Sequence, residues 1–284
     1  MKLGIALGLG VLASGFLTSA QALNYTSVAV QQSGFDYDGV VENNAAPGSS
    51  PNVYTSVSQA LDATSNVFYE NGLPGSSGGL PQTNQISVAV GANTFSFDLA
   101  DYGSGSGLSN NTLQIAPSET NQTLTLATPG SFQSLAFLGF STEAQSSNAI
   151  GSVVITFSDL STTTFTDALD YPDWYTGSGN PTHVQVYNSM GRVQYTSGLY
   201  NQDIQSPLTS ASGGNLYACL IELSPTDQLK TVQSVTFSIT SSTPSDRSYV
   251  MAVAGVVPEP GTASLLALGA AAAVLVRGRK RKTV

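Results

Sequence analysis

The side chains with which this chain could do acid–base, nucleophilic or metal chemistry are few and mostly stand apart. His183 is the only histidine and Cys219 the only cysteine. Any imidazole base must therefore be His183, just after Pro181-Thr182, and a Cys219 nucleophile would need an electropositive setting to lower its pKa. Cys219 instead lies in an apolar run of an acidic chain, so a buried structural thiol is the expectation. One His and one Cys fall short of a four-ligand zinc site. Gly75-Ser76-Ser77-Gly78-Gly79 has the Gly-x-Ser-x-Gly spacing of a hydrolase nucleophile elbow. That elbow needs a strand before the Ser and a helix after it, and Pro74 and Leu80-Pro81 forbid both, so the stretch reads as a Gly/Ser loop.

Carboxylates are the richer chemistry. Asp36-Tyr37-Asp38-Gly39 and the group Asp167, Asp170 and Asp173 stand near turns. Loop carboxylates suit calcium, which makes Asp36 and Asp38 the candidate calcium ligands and calcium the one candidate cofactor. No ordered Asp-x-Asp-x-Asp loop ending in Glu is present, and turn-capping by the Asp side chains is the plainer alternative. Asp170-Tyr171-Pro172-Asp173-Trp174-Tyr175 gathers aromatics, including the sole Trp, beside acids. Exposed, Trp174 and Tyr175 would stack on a sugar ring while Asp173 accepts its hydroxyl protons. The favoured alternative is that Trp174 plugs one end of a sandwich, because a lone Trp is usually heavily buried.

The elements that must position these groups are strands. After Leu23, short alternating runs recur every ten or so residues between turn residues. The expected strands are Tyr25–Val30, Ile86–Val90, Thr94–Leu99, Thr123–Ala127, Gln133–Phe140, Val153–Phe157, Val184–Tyr187, Leu216–Leu223, Val232–Ile239 and Tyr249–Val256, with Thr162–Phe165 paired to Val153–Phe157. Leu216–Leu223 is apolar on both faces, which predicts a central strand covered on both sides. Asn43–Pro51, Asn71–Gln82 and Asp101–Asn111, rich in Gly, Ser, Pro and Asn, read as long loops.

Charge excludes one class of partner. Residues 23–257 carry three cations, Arg192, Lys230 and Arg247, against seventeen carboxylates, a formal charge of −14. Such a body repels phosphate backbones, so nucleic acid is not an expected partner. Little charge with much Ser, Thr, Asn and Gly fits an exposed extracellular β protein, and a single cysteine rules out an internal disulfide.

The two ends are routing segments. Lys2, an apolar stretch Leu3 to Leu17 and the small-x-small site Ala20-Gln21-Ala22 make a secretory signal peptide, residues 1–22, cut after Ala22. At the other end a rigid Val257-Pro258-Glu259-Pro260-Gly261 turn precedes a short apolar helix, residues 262–276. The cations Arg277, Arg279, Lys280, Arg281 and Lys282 then set the cytoplasmic side of a single transmembrane helix.

This C-terminal pattern resembles the PEP-CTERM sorting signal of Gram-negative bacteria with exopolysaccharide systems. The resemblance covers only the last 26 or so residues. It implies transit through the secretion translocon, a transient stay in the inner membrane, and processing near the motif by an exosortase, a membrane cysteine transpeptidase. By the same resemblance Val257, Pro258, Glu259 and Pro260 are recognition residues. The body, residues 23–256, is similar to galactose-binding-like jelly rolls through Ser33-Gly34-Phe35-Asp36-Tyr37-Asp38, Leu124-Thr125-Leu126, Val153-Val154-Ile155-Thr156-Phe157-Ser158-Asp159 and Asp173-Trp174-Tyr175. Where such modules turn on a Gly after Asp159, this chain has Leu160, which implies a longer hairpin.

The expectation is an all-β, antiparallel sandwich of jelly-roll type between a signal peptide and a sorting tail. Its function would be non-enzymatic: a cell-surface or matrix protein that contacts polysaccharide or fills the matrix. The alternatives are a secreted glycan hydrolase working through paired carboxylates, and an ice-binding or adhesin protein. Ice binding asks for a flat, regular array of Thr or repeats, and the chain has no internal period.

Overall fold

The computed structural model describes residues 22–41, 61–63, 66–71, 78–102, 110–119, 121–143, 149–175, 183–196, 199–202, 214–240, 243 and 245–258. Within them the chain forms sixteen strands. The first eight are β1 (Asn24–Val28), β2 (Val40–Val41), β3 (Asn66–Tyr69), β4 (Gln85–Val90), β5 (Asn93–Asp98), β6 (Leu113–Ile115), β7 (Gln122–Gly130) and β8 (Ser134–Thr142). The rest are β9 (Ala149–Phe157), β10 (Thr162–Tyr171), β11 (His183–Met190), β12 (Val193–Thr196), β13 (Leu199–Gln202), β14 (Gly214–Glu222), β15 (Val232–Ile239) and β16 (Arg247–Val256). The all-β sandwich expected from the alternating runs is the fold observed.

Three sheets are present among the described residues. The largest has eight strands in the order β11-β14-β8-β16-β1-β5-β4, with β6 also pairing β16. Two four-stranded sheets run β10-β9-β15-β7 and β13-β12-β3-β2. Three adjacent inner strands of the large sheet, β14, β8 and β16, are covered on both faces. On β14, Leu216 and Ala218 enter one apolar core and Tyr217, Cys219 and Ile221 the other, as the two-sided run predicts for a central strand. β8 divides in the same way, with Leu138 and Phe140 on one side and Leu135 and Phe137 on the other.

The second core is closed by β10-β9-β15-β7, whose inward residues include Val153, Ile155 and Phe157 on β9 and Val235 and Phe237 on β15. The first core takes Val67, Phe68 and Tyr69 from β3 and Phe95 and Phe97 from β5. β3, β12 and β13 were not expected from the sequence, since they are short and lie within or beside stretches without apolar period. Close approach of backbone explains one glycine on β8. A Cβ on Gly139 would lie 2.0 Å from the Tyr249 carbonyl oxygen and 2.7 Å from the Tyr171 ring.

The β9–β10 hairpin corrects one expectation. Its loop is tight, not lengthened: the Phe157 amide donates to Ser161 O at 2.9 Å, and the Leu160 amide donates to Phe157 O at 2.9 Å. Leu160 meets the turn's demand by adopting φ +66° itself, and its side chain is 79% exposed. The signal peptide to Gln21, Asn43–Pro51, Gly75 to Ser77, most of the Asp101–Asn111 loop and everything from Glu259 onward, including the apolar segment 262–276, lie outside the described residues. No helix among the described residues is long and apolar enough to cross a membrane.

Candidate functional site

The aromatic turn after β10 faces inward. The Trp174 amide donates to Ser141 O at 2.8 Å, and the Trp174 carbonyl accepts from the Asn215 amide at 2.9 Å and from Asn215 Nδ2 at 3.1 Å. These bonds knit the turn to β8 and β14. The indole meets Phe68 edge-on at 4.7 Å and stacks on Phe140 at 5.5 Å. Arg192 closes the box: its guanidinium lies 5.2 Å from the Trp174 ring centre and 4.3 Å from that of Tyr175, and it pairs with Asp62 at 3.4 Å. Trp174 is 1% exposed, so no ring face is left for a sugar. The sugar-platform reading of Trp174 is thereby corrected to the plug, because enclosure by Phe68, Phe140 and Arg192 uses both faces of the indole. Asp173 Oδ1 accepts from the Tyr175 amide at 2.8 Å and caps the turn.

His183 and Cys219 come closer together than their sequence separation indicates. They are register partners across β11 and β14, and His183 Nε2 lies 3.9 Å from Asp170 Oδ2. The rings of Tyr171 and Tyr217 flank the imidazole at 6.5 and 6.2 Å. A thiol, an imidazole and a carboxylate thus share one neighbourhood, but the thiol is buried and free of disulfide. Burial pushes the Cys219 thiol up to about 12, which holds it protonated and weakly nucleophilic at neutral pH. Tyr171 completes the packing, its hydroxyl donating to Phe137 O at 2.8 Å.

Asp36 and Asp38 serve different partners. Asp36 Oδ1 accepts from the Gln114 amide at 2.9 Å, while Asp38 Oδ1 accepts from Asn111 Nδ2 at 2.7 Å. Among the described residues no three His, Cys, Asp or Glu side chains are grouped to hold a metal ion. The two carboxylates tie the segment before β2 to β6 and the residues leading into it, through bonds that span more than seventy residues of sequence and are not local turn caps.

The chain leaves the fold at β16. This strand lies inside the large sheet, between β8 and β1, and its final residue, Val256, is in register with Ser134 and accepts from the Gln133 amide at 2.7 Å. One residue later Val257 is 62% exposed. Core strand therefore passes directly into Val257 and Pro258, the first residues of the Val257-Pro258-Glu259-Pro260 stretch. Residues 256–282 match the family model of the PEP-CTERM protein-sorting motif.

The chain carries a PEP-CTERM sorting signal.

The PEP-CTERM match begins on the last residue of β16, so fold and signal abut without a spacer. It marks the chain for export and for sorting to the cell surface, with an exosortase as processing partner. Glu259, Pro260 and the cations Arg277, Arg279, Lys280, Arg281 and Lys282 belong to the matched signal or its immediate end and lie outside the described residues. A comparison with curated proteins finds no match to the chain.

One surface was missed in the sequence. The outward residues of β7, β15, β9 and β10 are mostly Thr or Ser, with Ala127, Ile150, Val154, Asp167 and Gln233 among the exceptions, and they become neighbours only when four separated segments pair. The available signal was the alternation itself, Thr123/Thr125, Ser234/Thr236 and Thr162/Thr164 each standing two apart on the solvent side of an amphipathic strand.

Proposed function

We propose that this is an exported cell-surface or matrix protein whose β-sandwich body is a non-catalytic module, associated with extracellular polysaccharide or forming part of the matrix itself. The observation that carries this reading is the PEP-CTERM signal joined directly to the last core strand. The whole described body is then the cargo that the sorting system delivers. The buried, protonated thiol beside the only histidine supports a body without nucleophilic chemistry. A strongly acidic, weakly charged, hydroxyl-rich surface supports residence outside the cell.

Two measurements test it. The mass of the mature protein's C-terminus in cells should show truncation near Pro258; an intact Val284 would remove the processing step. Retention of the protein on insoluble polysaccharide tests the association. Turnover of a matrix glycan, abolished by a single Asp or Glu substitution, would overturn the non-catalytic reading in favour of a secreted hydrolase. Trp174→Ala is not a useful binding variant, since it removes core and not surface.

A further inference from the structure

We propose that the outward face of the β10-β9-β15-β7 sheet is a docking surface for a neutral, extended polysaccharide. This deepens the reading of the body as a polysaccharide-associated module and rests on it. Register places Thr125, Ser234, Thr156 and Thr162 side by side across all four strands. A second row, displaced by two residues, runs Thr123, Thr236, Val154 and Thr164. Their inward neighbours Leu124, Val235 and Ile155 are buried in the core beneath, so the pleat turns the hydroxyls to solvent, where every member of both rows is exposed or half-exposed. Neighbours within a row stand about 4.8 Å apart and the rows about 6.8 Å apart. Thr123 and Thr236 already share a hydroxyl–hydroxyl bond of 2.8 Å.

The chemistry of the face selects its occupant. Neither row contains Asp, Glu, Lys or Arg, although the body as a whole has a formal charge of −14. A cationic or anionic polymer therefore finds no complementary charge there. Hydroxyls both donate and accept, and the Thr methyls with Val154 supply shallow apolar ground between them. That combination matches a sugar polymer, which offers hydroxyl edges and CH faces. Protein interface cores are rich in aromatic and large apolar side chains, and in these two rows only Val154 is apolar, which disfavours a second copy of the chain. Strands in a sheet rotate by roughly 20–25° from one to the next. Four such strands, with register shifts between Phe165 and Leu169 and between Val232 and Ser234, do not make the plane that an ice lattice requires, whereas a flexible polymer can follow the twist.

The test is co-sedimentation of the full-length chain with amorphous cellulose as the neutral probe and alginate as the anionic one. The expected result is retention on cellulose. It should fall by roughly tenfold or more in Thr156→Val/Thr236→Val, which deletes two hydroxyls while keeping β-branched side chains on the strands. Ser87→Val on β4, in the large sheet, should leave retention unchanged, and circular dichroism checks that each variant is folded. Wild-type retention that survives the double substitution would overturn this surface while leaving polysaccharide association standing. Retention on neither polymer would overturn this surface and the polysaccharide association with it, and leave the body as part of the matrix itself. Retention on alginate alone, altered ice-crystal growth, or a dimer dissolved by the same double substitution would each overturn the neutral-polymer assignment.

Discussion

Arg192 and Asp62 meet at 3.4 Å with both side chains almost wholly enclosed, and the guanidinium lies against Tyr175 and Trp174. One of the body's three cations is thus spent inside. The pair joins the turn before β3 to the entry of β12 and holds both against the end of β10. A buried ion pair owes its net effect to completeness: each ion loses hydration and regains it only from its partners.

Removing one partner should therefore be costly. Arg192→Met is expected to destabilise the fold by about 3–5 kcal/mol, because Asp62 is left as a buried charge without its counter-ion. The double variant Arg192→Met/Asp62→Asn should recover much of that loss. Urea denaturation of the single and double variants measures the coupling; additive losses would show that the pair is not acting as a unit.

Trp174→Ala should cost about 3–5 kcal/mol, through lost burial and the cavity left among Phe68, Phe140 and Arg192. Retention on polysaccharide by whatever fraction stays folded should not change. A variant of wild-type stability that no longer binds would mean that the indole faces a ligand after all.

Cys219 should resist thiol reagents in the folded protein at about pH 8 and react only on unfolding. Its burial also makes stability depend on alkaline pH. Cys219 and Tyr217 are each pushed up to about 12 by burial, whereas in the unfolded chain they ionise near 9 and 10. Above those lower values the unfolded state binds fewer protons than the folded one, so stability is fully present below pH 9 and falls as pH rises toward 12. The unfolding free energy obtained from urea titrations should drop across that window at up to about 1.4 kcal/mol per pH unit for each group. Cys219→Ala should make the fall shallower, and an unchanged slope would remove the thiol from the account.

Leu160 occupies the left-handed region at φ +66° with an exposed side chain. That conformation costs a non-glycine residue about 1–2 kcal/mol, more than the extra unfolded-state freedom of glycine, about 0.5–1 kcal/mol. Leu160→Gly should stabilise the protein by about 0.5–1 kcal/mol in thermal or urea unfolding. A loss of stability would mean that the Leu160 side chain makes contacts that outweigh the strain.

Much of the sandwich was legible because its strands carry their own pattern. Val153, Ile155 and Phe157 alternate, and Leu216–Leu223 is apolar on both faces; each pattern states how many sides the strand must cover. The plug at Trp174 was favoured from its being the sole Trp. β10 was read only as far as Phe165, since Asp167 takes φ +54° and the register shifts between Phe165 and Leu169, interrupting the pairing before Leu169 and Tyr171 enter the same core as Phe165. β3 and β12 were not legible: four-residue strands next to irregular chain have too few residues to show a period. The hydroxyl rows were invisible for a different reason. Their spacing is set across strands that lie far apart in the chain, so no repeat in the sequence announces them, and only the register brings Thr125, Ser234, Thr156 and Thr162 into line.

β16 is also the element that decides when the fold can close. It pairs with β1, where Thr26 Oγ1 donates to Gly255 O across 229 residues of sequence, and it fills the middle of the large sheet between β8 and β1. A chain threaded through a membrane N-terminus first delivers this strand last, directly ahead of the sorting signal. Without it, β8 and β1 lack the strand that lies between them in the large sheet. On the export route proposed above, the strand that closes the main sheet would be the last of the fold to emerge, immediately ahead of the sorting signal.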